Sequence, residues 1–220
     1  MTRVTTILNK LHRMAIAAFD NAVRLHEDAV LLFDAGRIPS SLHTSVLSIE
    51  EIGKYLLNEE ILFQAAGGSE YTEQDLDELL RQTFSHVAKH RWFARHAEQF
   101  FVSQTIVRIL RSGELETIKQ RATYVGFPRK KKGPNFDKRL ETPFRASRKR
   151  AAEFITAVND FLIVLAIGTR KGVYSLDIAG VDDRLAQREF EEHLVALWPI
   201  MRPSTRKEVE QLRKLEDEER

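Results

Sequence analysis

Two adjacent carboxylates and a lysine stand inside an apolar run at Ser48-Ile49-Glu50-Glu51-Ile52-Gly53-Lys54. On a helix, Glu50 and Lys54 are four residues apart with the acid first, the favourable order for a side-chain pair. Leu42, Val46, Ile49, Leu56 and Leu57 read as core positions around them. The acids therefore belong at the margin of a packed face, where a charge is either paired or performs a task. Gly53 in mid-helix costs about 1 kcal/mol relative to alanine, and its expected use is to let a second helix approach closely. The plain alternative is a Glu50–Lys54 ion pair with Glu51 left in solvent, which contributes little.

A second polar cluster lies at Ser85-His86-Val87-Ala88-Lys89-His90-Arg91. His86, Lys89 and His90 share one helical face at spacings of three and four. His86 and His90 have the spacing of a helical metal pair, but no glutamate lies between them as a zinc-protease motif requires. Cationic Lys89 and Arg91 also oppose a metal. No metal and no cofactor are expected. Set against the first motif, this face would bring His and Lys to Glu50 or Glu51. That arrangement is a neutralised network between helices, with a stabilising or specificity role.

From Lys119 to Arg150 there are twelve Lys or Arg against two acids, Asp137 and Glu141, although the net charge of the chain is only +2. The stretch contains Arg129-Lys130-Lys131-Lys132 and then Arg145, Arg148, Lys149 and Arg150, with Phe127, Phe136 and Phe144 interleaved. Bases of this kind bind phosphates and aromatic rings stack on unpaired bases, so these eight cations are the nucleic-acid-binding candidates. A solvated loop anchored by its phenylalanines is the alternative. Cations at the start of a helix oppose its macrodipole, which favours an acidic ligand there.

The elements that must position these residues are helical. Apolar residues recur at helical spacing over 4–35, with Gly36 as the stop. A second helix opens at Pro39 and runs to about Ala66 before Gly67-Gly68. A third starts at Thr72, with Asp75 three residues on, and extends to about Arg111, long enough to break near Val102-Ser103. A short helix follows at 114–123, then a Pro/Gly-rich basic loop over 124–143, of a length that marks function or disorder. A further helix at 144–168, a turn-rich link, and helices at 181–199 and 204–219 complete the chain. The last helix shows only Val209, Leu212 and Leu215 as an apolar stripe and is expected to be exposed or partner-facing. The fold class is all-α, a bundle of long antiparallel helices with extra C-terminal helices, divided as 1–170 and a 171–220 extension.

The 220 residues are 43% hydrophobic and contain no cysteine, which excludes disulfides, thiolate metal sites and a thiol nucleophile. The N-terminus lacks the apolar core of a signal peptide, and the apolar run from Phe154 to Gly168 is interrupted by Asn159 and Asp160 and reads as too short to span a bilayer. A cytoplasmic protein with no membrane partner is expected.

Taken in order, Asn21-Ala22, Glu27-Asp28-Ala29, Ser-Ile-Glu-Glu-Ile-Gly-Lys at 48–54, His86-Val87-Ala88-Lys89 and Thr123-Tyr124-Val125-Gly126-Phe127 resemble the AbiV family of abortive-infection proteins, itself similar to the HEPN superfamily of α-helical domains. The resemblance covers about residues 10 to 168. It implies a HEPN-like bundle and a phage-defence protein acting on RNA or translation. It also implies a homodimer, with a phage protein as a possible trigger. HEPN relatives are often metal-independent ribonucleases marked by Arg-x(4–6)-His. Four pairs here have that spacing: Arg37…His43, Arg81…His86, Arg91…His96 and Arg188…His193. Arg81…His86 shares its histidine with the His-x-x-Lys match. The catalytic candidates are accordingly Glu50, Glu51, Lys54, Arg81, His86 and Lys89. A binding module without enzymatic activity and a purely structural helical dimer stand beside the nuclease as alternatives.

Overall fold

The computed structural model describes residues 3–99, 103–127, 129–130, 133–172 and 181–218. Its frame is the antiparallel pair α1 (Arg3–Asp34) and α2 (Ile38–Ala66). The buried face of α1 is unusually small, with Ala15, Ala18, Ala22 and Ala29 all at or near zero exposure. That lets α2 lie close enough for Ser41 and Ser48 to donate to the carbonyls of Ala29 and Ala22, at 2.7 and 2.8 Å. Each helical carbonyl has a second lone pair available for such a bond.

The third predicted helix is three helices: α3 (Glu73–Phe84), α4 (His86–Gln99) and α5 (Gln104–Ser112). Ser103 caps α5 at the anticipated break, its Oγ accepting from the Thr105 N–H. The break at Ser85 is additional: its backbone is extended at φ −83° and ψ 115°, and its Oγ accepts from the Ala88 N–H. Serine suits both places because its hydroxyl replaces a missing helical partner. The capping box of Thr72 and Asp75 starts α3 as the sequence indicates.

After α6 (Glu114–Thr123), the predicted loop folds back on itself. Gly126 and Glu141 exchange backbone hydrogen bonds of 3.0 and 2.8 Å. Two-residue strands β1 (Arg129–Lys130) and β2 (Gly133–Pro134) pair antiparallel between them. A 3-10 turn at Pro143–Arg145 leads into α7 (Arg148–Arg170), which Ser147 caps. Sixteen residues of α7 are buried, around its whole circumference from Phe154 onward. A helix apolar all round is either a core helix or a membrane span. Contrary to the sequence expectation, α7 is long and apolar enough to cross a membrane, but 89% of its apolar window is buried within the bundle.

The chain closes with α8 (Val181–Leu185), α9 (Arg188–Leu197) and α10 (Pro203–Glu218). The anticipated helix at 181–199 is interrupted at Gln187. The expected exposed tail is a packed element: Val209 and Leu212 of α10 join the same core as Phe161 of α7 and Phe19 of α1. Trp198 ties the extension inward. Its Nε1 donates to Thr156 Oγ1 at 2.9 Å, its carbonyl accepts from Asn159 Nδ2 at 3.2 Å, and its ring meets Phe33 edge-on.

Candidate functional site

Glu50 is the centre of a cluster drawn from α2, α4 and α6. The residue is 3% exposed. His86 Nδ1 lies 2.7 Å from Oε2, and His90 Nε2 lies 3.2 Å from Oε1. Lys119 Nζ donates to Oε1 at 2.9 Å, and Lys89 Nζ is 3.7 Å from Oε2. Gly53 makes this convergence possible. A Cβ at Gly53 would stand 2.1 Å from the backbone oxygen of Lys89, so only glycine lets the first turns of α4 rest on α2. The break at Ser85 starts α4 beside Glu50, and a helix N-terminus favours a carboxylate.

Burial acts to raise the Glu50 pKa, but the hydrogen bonds from His90 and Lys119 and the charges of Lys119 and His86 outweigh it and hold the carboxyl well below the usual range. Burial lowers the Lys89 pKa despite the pull of Glu50. Lys119 is held above its usual value: its own burial is overcome by hydrogen bonds to Glu116 and Glu50. An ionised carboxylate only accepts, so His86 donates to it through Nδ1–H, and Nε2 is the ring nitrogen that Glu50 does not use. The His86 side chain is 49% exposed, whereas that of His90 is sealed. The cluster therefore meets solvent mainly through the His86 imidazole, with the Glu116 side chain at 29% exposure beside it.

Glu50, His86 and Glu116 bring ligand atoms within 4.8 Å of one another. The Lys119 ammonium lies 2.9 Å from Glu50, 2.7 Å from Glu116 and 3.4 Å from His86. The cation that this donor set surrounds is the protein's own lysine.

The structure brings together Glu50, His86 and Lys89 of the predicted set. It corrects the pairing of Lys54, which donates to both oxygens of Glu51 at 2.7 and 2.8 Å instead of reaching Glu50. Adjacent residues on a helix point about 100° apart, so Glu50 faces the core while Glu51 sits at its edge. Arg81 is exposed on α3, across the Ser85 break, and makes no ion pair or side-chain hydrogen bond among the described residues. Lys119 and Glu116 were missed as site members. Their i, i+3 spacing was visible, but Lys119 reads in sequence only as the first of a long basic series.

The other Arg-x(4–6)-His pairs separate by environment. His96 Nδ1 lies 3.0 Å from the Trp92 carbonyl. His193 meets Glu27 at 2.9 Å, while Arg188 pairs with Glu192. Arg37 and His43 instead line one cleft of about 480 Å³ with Thr44 and Thr123. His43 Nδ1 is 2.6 Å from Thr123 Oγ1, on the last turn of α6.

Among the nucleic-acid candidates, Lys131 and Lys132 lie outside the described residues, and Arg129 and Lys130 form β1. Arg145 and Arg150 line a cleft of about 360 Å³ with Arg121, Glu114 and Glu141. Arg148 stacks 4.2 Å above the Phe33 ring, and Arg150 pairs with Glu153 at 3.4 Å. Lys149 is exposed. Phe127 and Phe136 contact each other edge-on at 5.2 Å, and Phe136 remains 71% exposed.

The chain matches the family described as AbiV over residues 10–163. No curated protein and no solved structure matches it.

Proposed function

The chain belongs to the AbiV family, and on that basis we propose that it is a cytoplasmic abortive-infection protein that limits phage growth by binding RNA or part of the translation machinery. The Glu50 cluster is the site we assign to this role, as a binding and sensing centre in a homodimer that a phage protein triggers. The observation that carries the reading is the state of its cations. Lys89 and Lys119 are both buried against Glu50. Neither is free to stabilise the charge that develops on a phosphate during cleavage, which catalysis requires. What remains for a partner is the edge of His86 and the rim pair Glu51–Lys54.

A second reading, metal-independent RNA cleavage, is favoured by the Arg37–His43 cleft. There an imidazole with no carboxylate partner among the described residues shares a cleft with a guanidinium. A histidine can exchange a proton with a ribose 2′-hydroxyl while an arginine neutralises the phosphate. Incubation of the purified protein with total cellular RNA, with and without chelator, separates the two. The binding reading expects intact RNA, and phage protection lost in His86→Ala but kept in His43→Ala. Chelator-resistant cleavage that disappears in His43→Ala would replace it with the nuclease.

A further inference from the structure

A further groove opens where α2, α3 and the middle of α4 meet, and it has the opposite electrostatic character to the basic segment. It has a volume of about 530 Å³. Leu57 and Ile61, both at most 2% exposed, lie at its floor, flanked by half-buried Leu79 and Trp92. Glu60, Glu70, Asp75 and Glu78 stand around it against one guanidinium, Arg95. That guanidinium is 5.3 Å from the Trp92 ring centroid. Asp75 is engaged in the α3 capping box, and Glu60 accepts from Gln64 at 2.6 Å. Glu70 and Glu78 make no ion pair among the described residues. Burial, then the charges of Glu60 and Asp75, raise the pKa of Tyr71 in the same groove, in keeping with a negative field.

We propose that this groove docks an amphipathic segment of a partner protein, placing aliphatic side chains against the half-buried Leu79 and Trp92, above the sealed Leu57 and Ile61, and lysines or arginines against Glu60, Glu70 and Glu78. The four carboxylates repel phosphate, so nucleic acid and anionic lipid are the wrong chemistry here. An apolar floor with a charged rim is the arrangement by which grooves take up amphipathic helices. Purely cationic ligands leave the floor unfilled. The groove does not use Glu50, His86 or His43, so it stands or falls independently of the site described above.

Fluorescence anisotropy with a labelled amphipathic leucine–lysine helical peptide tests it on the whole protein. Glu70 and Glu78 are exposed, so the Glu70→Lys/Glu78→Lys variant folds normally, as circular dichroism will confirm. The expected result is salt-sensitive binding to the wild type that weakens at least ~10-fold in this variant, with a change in Trp92 emission lost in Trp92→Phe. Equal affinity for the variant overturns the proposal. So does equal affinity for an all-lysine peptide, or displacement by spermidine at matching concentration, since either assigns the groove to charge alone. Concentration-dependent self-association of the wild type, abolished in the variant by sedimentation velocity, assigns the groove to a second copy and also overturns it.

Discussion

Removing the charge of Glu50 leaves two lysines and a sealed histidine facing a neutral amide. Breaking a buried ion pair from one side costs about 3–5 kcal/mol, and Glu50→Gln is expected to lower stability by that order in urea unfolding. Because the folded-state pKa of Glu50 is depressed, its contribution is present above the unfolded carboxyl value and is lost as pH falls through the folded one. Glu59 has the opposite sign. It is 8% exposed, and burial, with Glu60 and Asp182 adding, raises its pKa to about 7. Its protonated form is the one the fold accommodates, so stability is full below the unfolded pKa and falls as pH rises through about 7. Glu59→Gln is expected to stabilise the protein by about 1–3 kcal/mol near pH 8, with little difference near pH 4. Paired thermal melts at the two pH values check it. The meeting of Glu50 with His86 was legible in sequence because both motifs carry their polar residues on one helical face. The partner of Lys54 was not, since i, i+3 and i, i+4 pairs are close alternatives and burial of Glu50 decided between them.

At the scale of elements, Gly53 and Ser85 are the two residues that build the site without touching substrate-facing atoms. Gly53→Ala drives a methyl into the Lys89 carbonyl. Overpacking of this kind costs about 1–3 kcal/mol. It is expected to move α4 and lose the Glu50–His86 bond, seen as a shifted His86 ring resonance in NMR spectra. The close approach at Gly53 could be inferred from a mid-helix glycine. The break at Ser85 could not be, because Phe84, Val87 and Ala88 continue the apolar spacing across it, and a lone serine is weak evidence for a cap. The basic loop was placed correctly, but its folding into a backbone pair at Gly126 and Glu141 rests on long-range hydrogen bonds that local sequence does not announce.

At the scale of the molecule, the C-terminal helices belong to the core. Trp198 joins α7 through Thr156 and Asn159 and joins α1 through Phe33. Asn159 in turn lies 2.8 Å from His26. Trp198→Ala is expected to cost about 3–5 kcal/mol and to lower the single unfolding transition as a whole. A separate early transition would show the extension to be an independent unit. The thin stripe of α10 misled the reading of that helix because two residues, Val209 and Leu212, suffice when they land on a surface as apolar as α7. The all-α class was legible from period and punctuation. The burial of α7 was not, since a core helix and a membrane span share one composition.

The claim on which the account turns is that the Glu50 cluster acts through His86, its most exposed member. Phage plaquing efficiency on cells expressing His86→Ala, with soluble protein level and melting temperature recorded alongside, measures this most directly. The expected result is loss of protection from a variant that accumulates and melts close to the wild type, because Glu50 keeps His90, Lys89 and Lys119. Undiminished protection by that folded variant would contradict the account and leave the cluster as a structural tie between α2, α4 and α6.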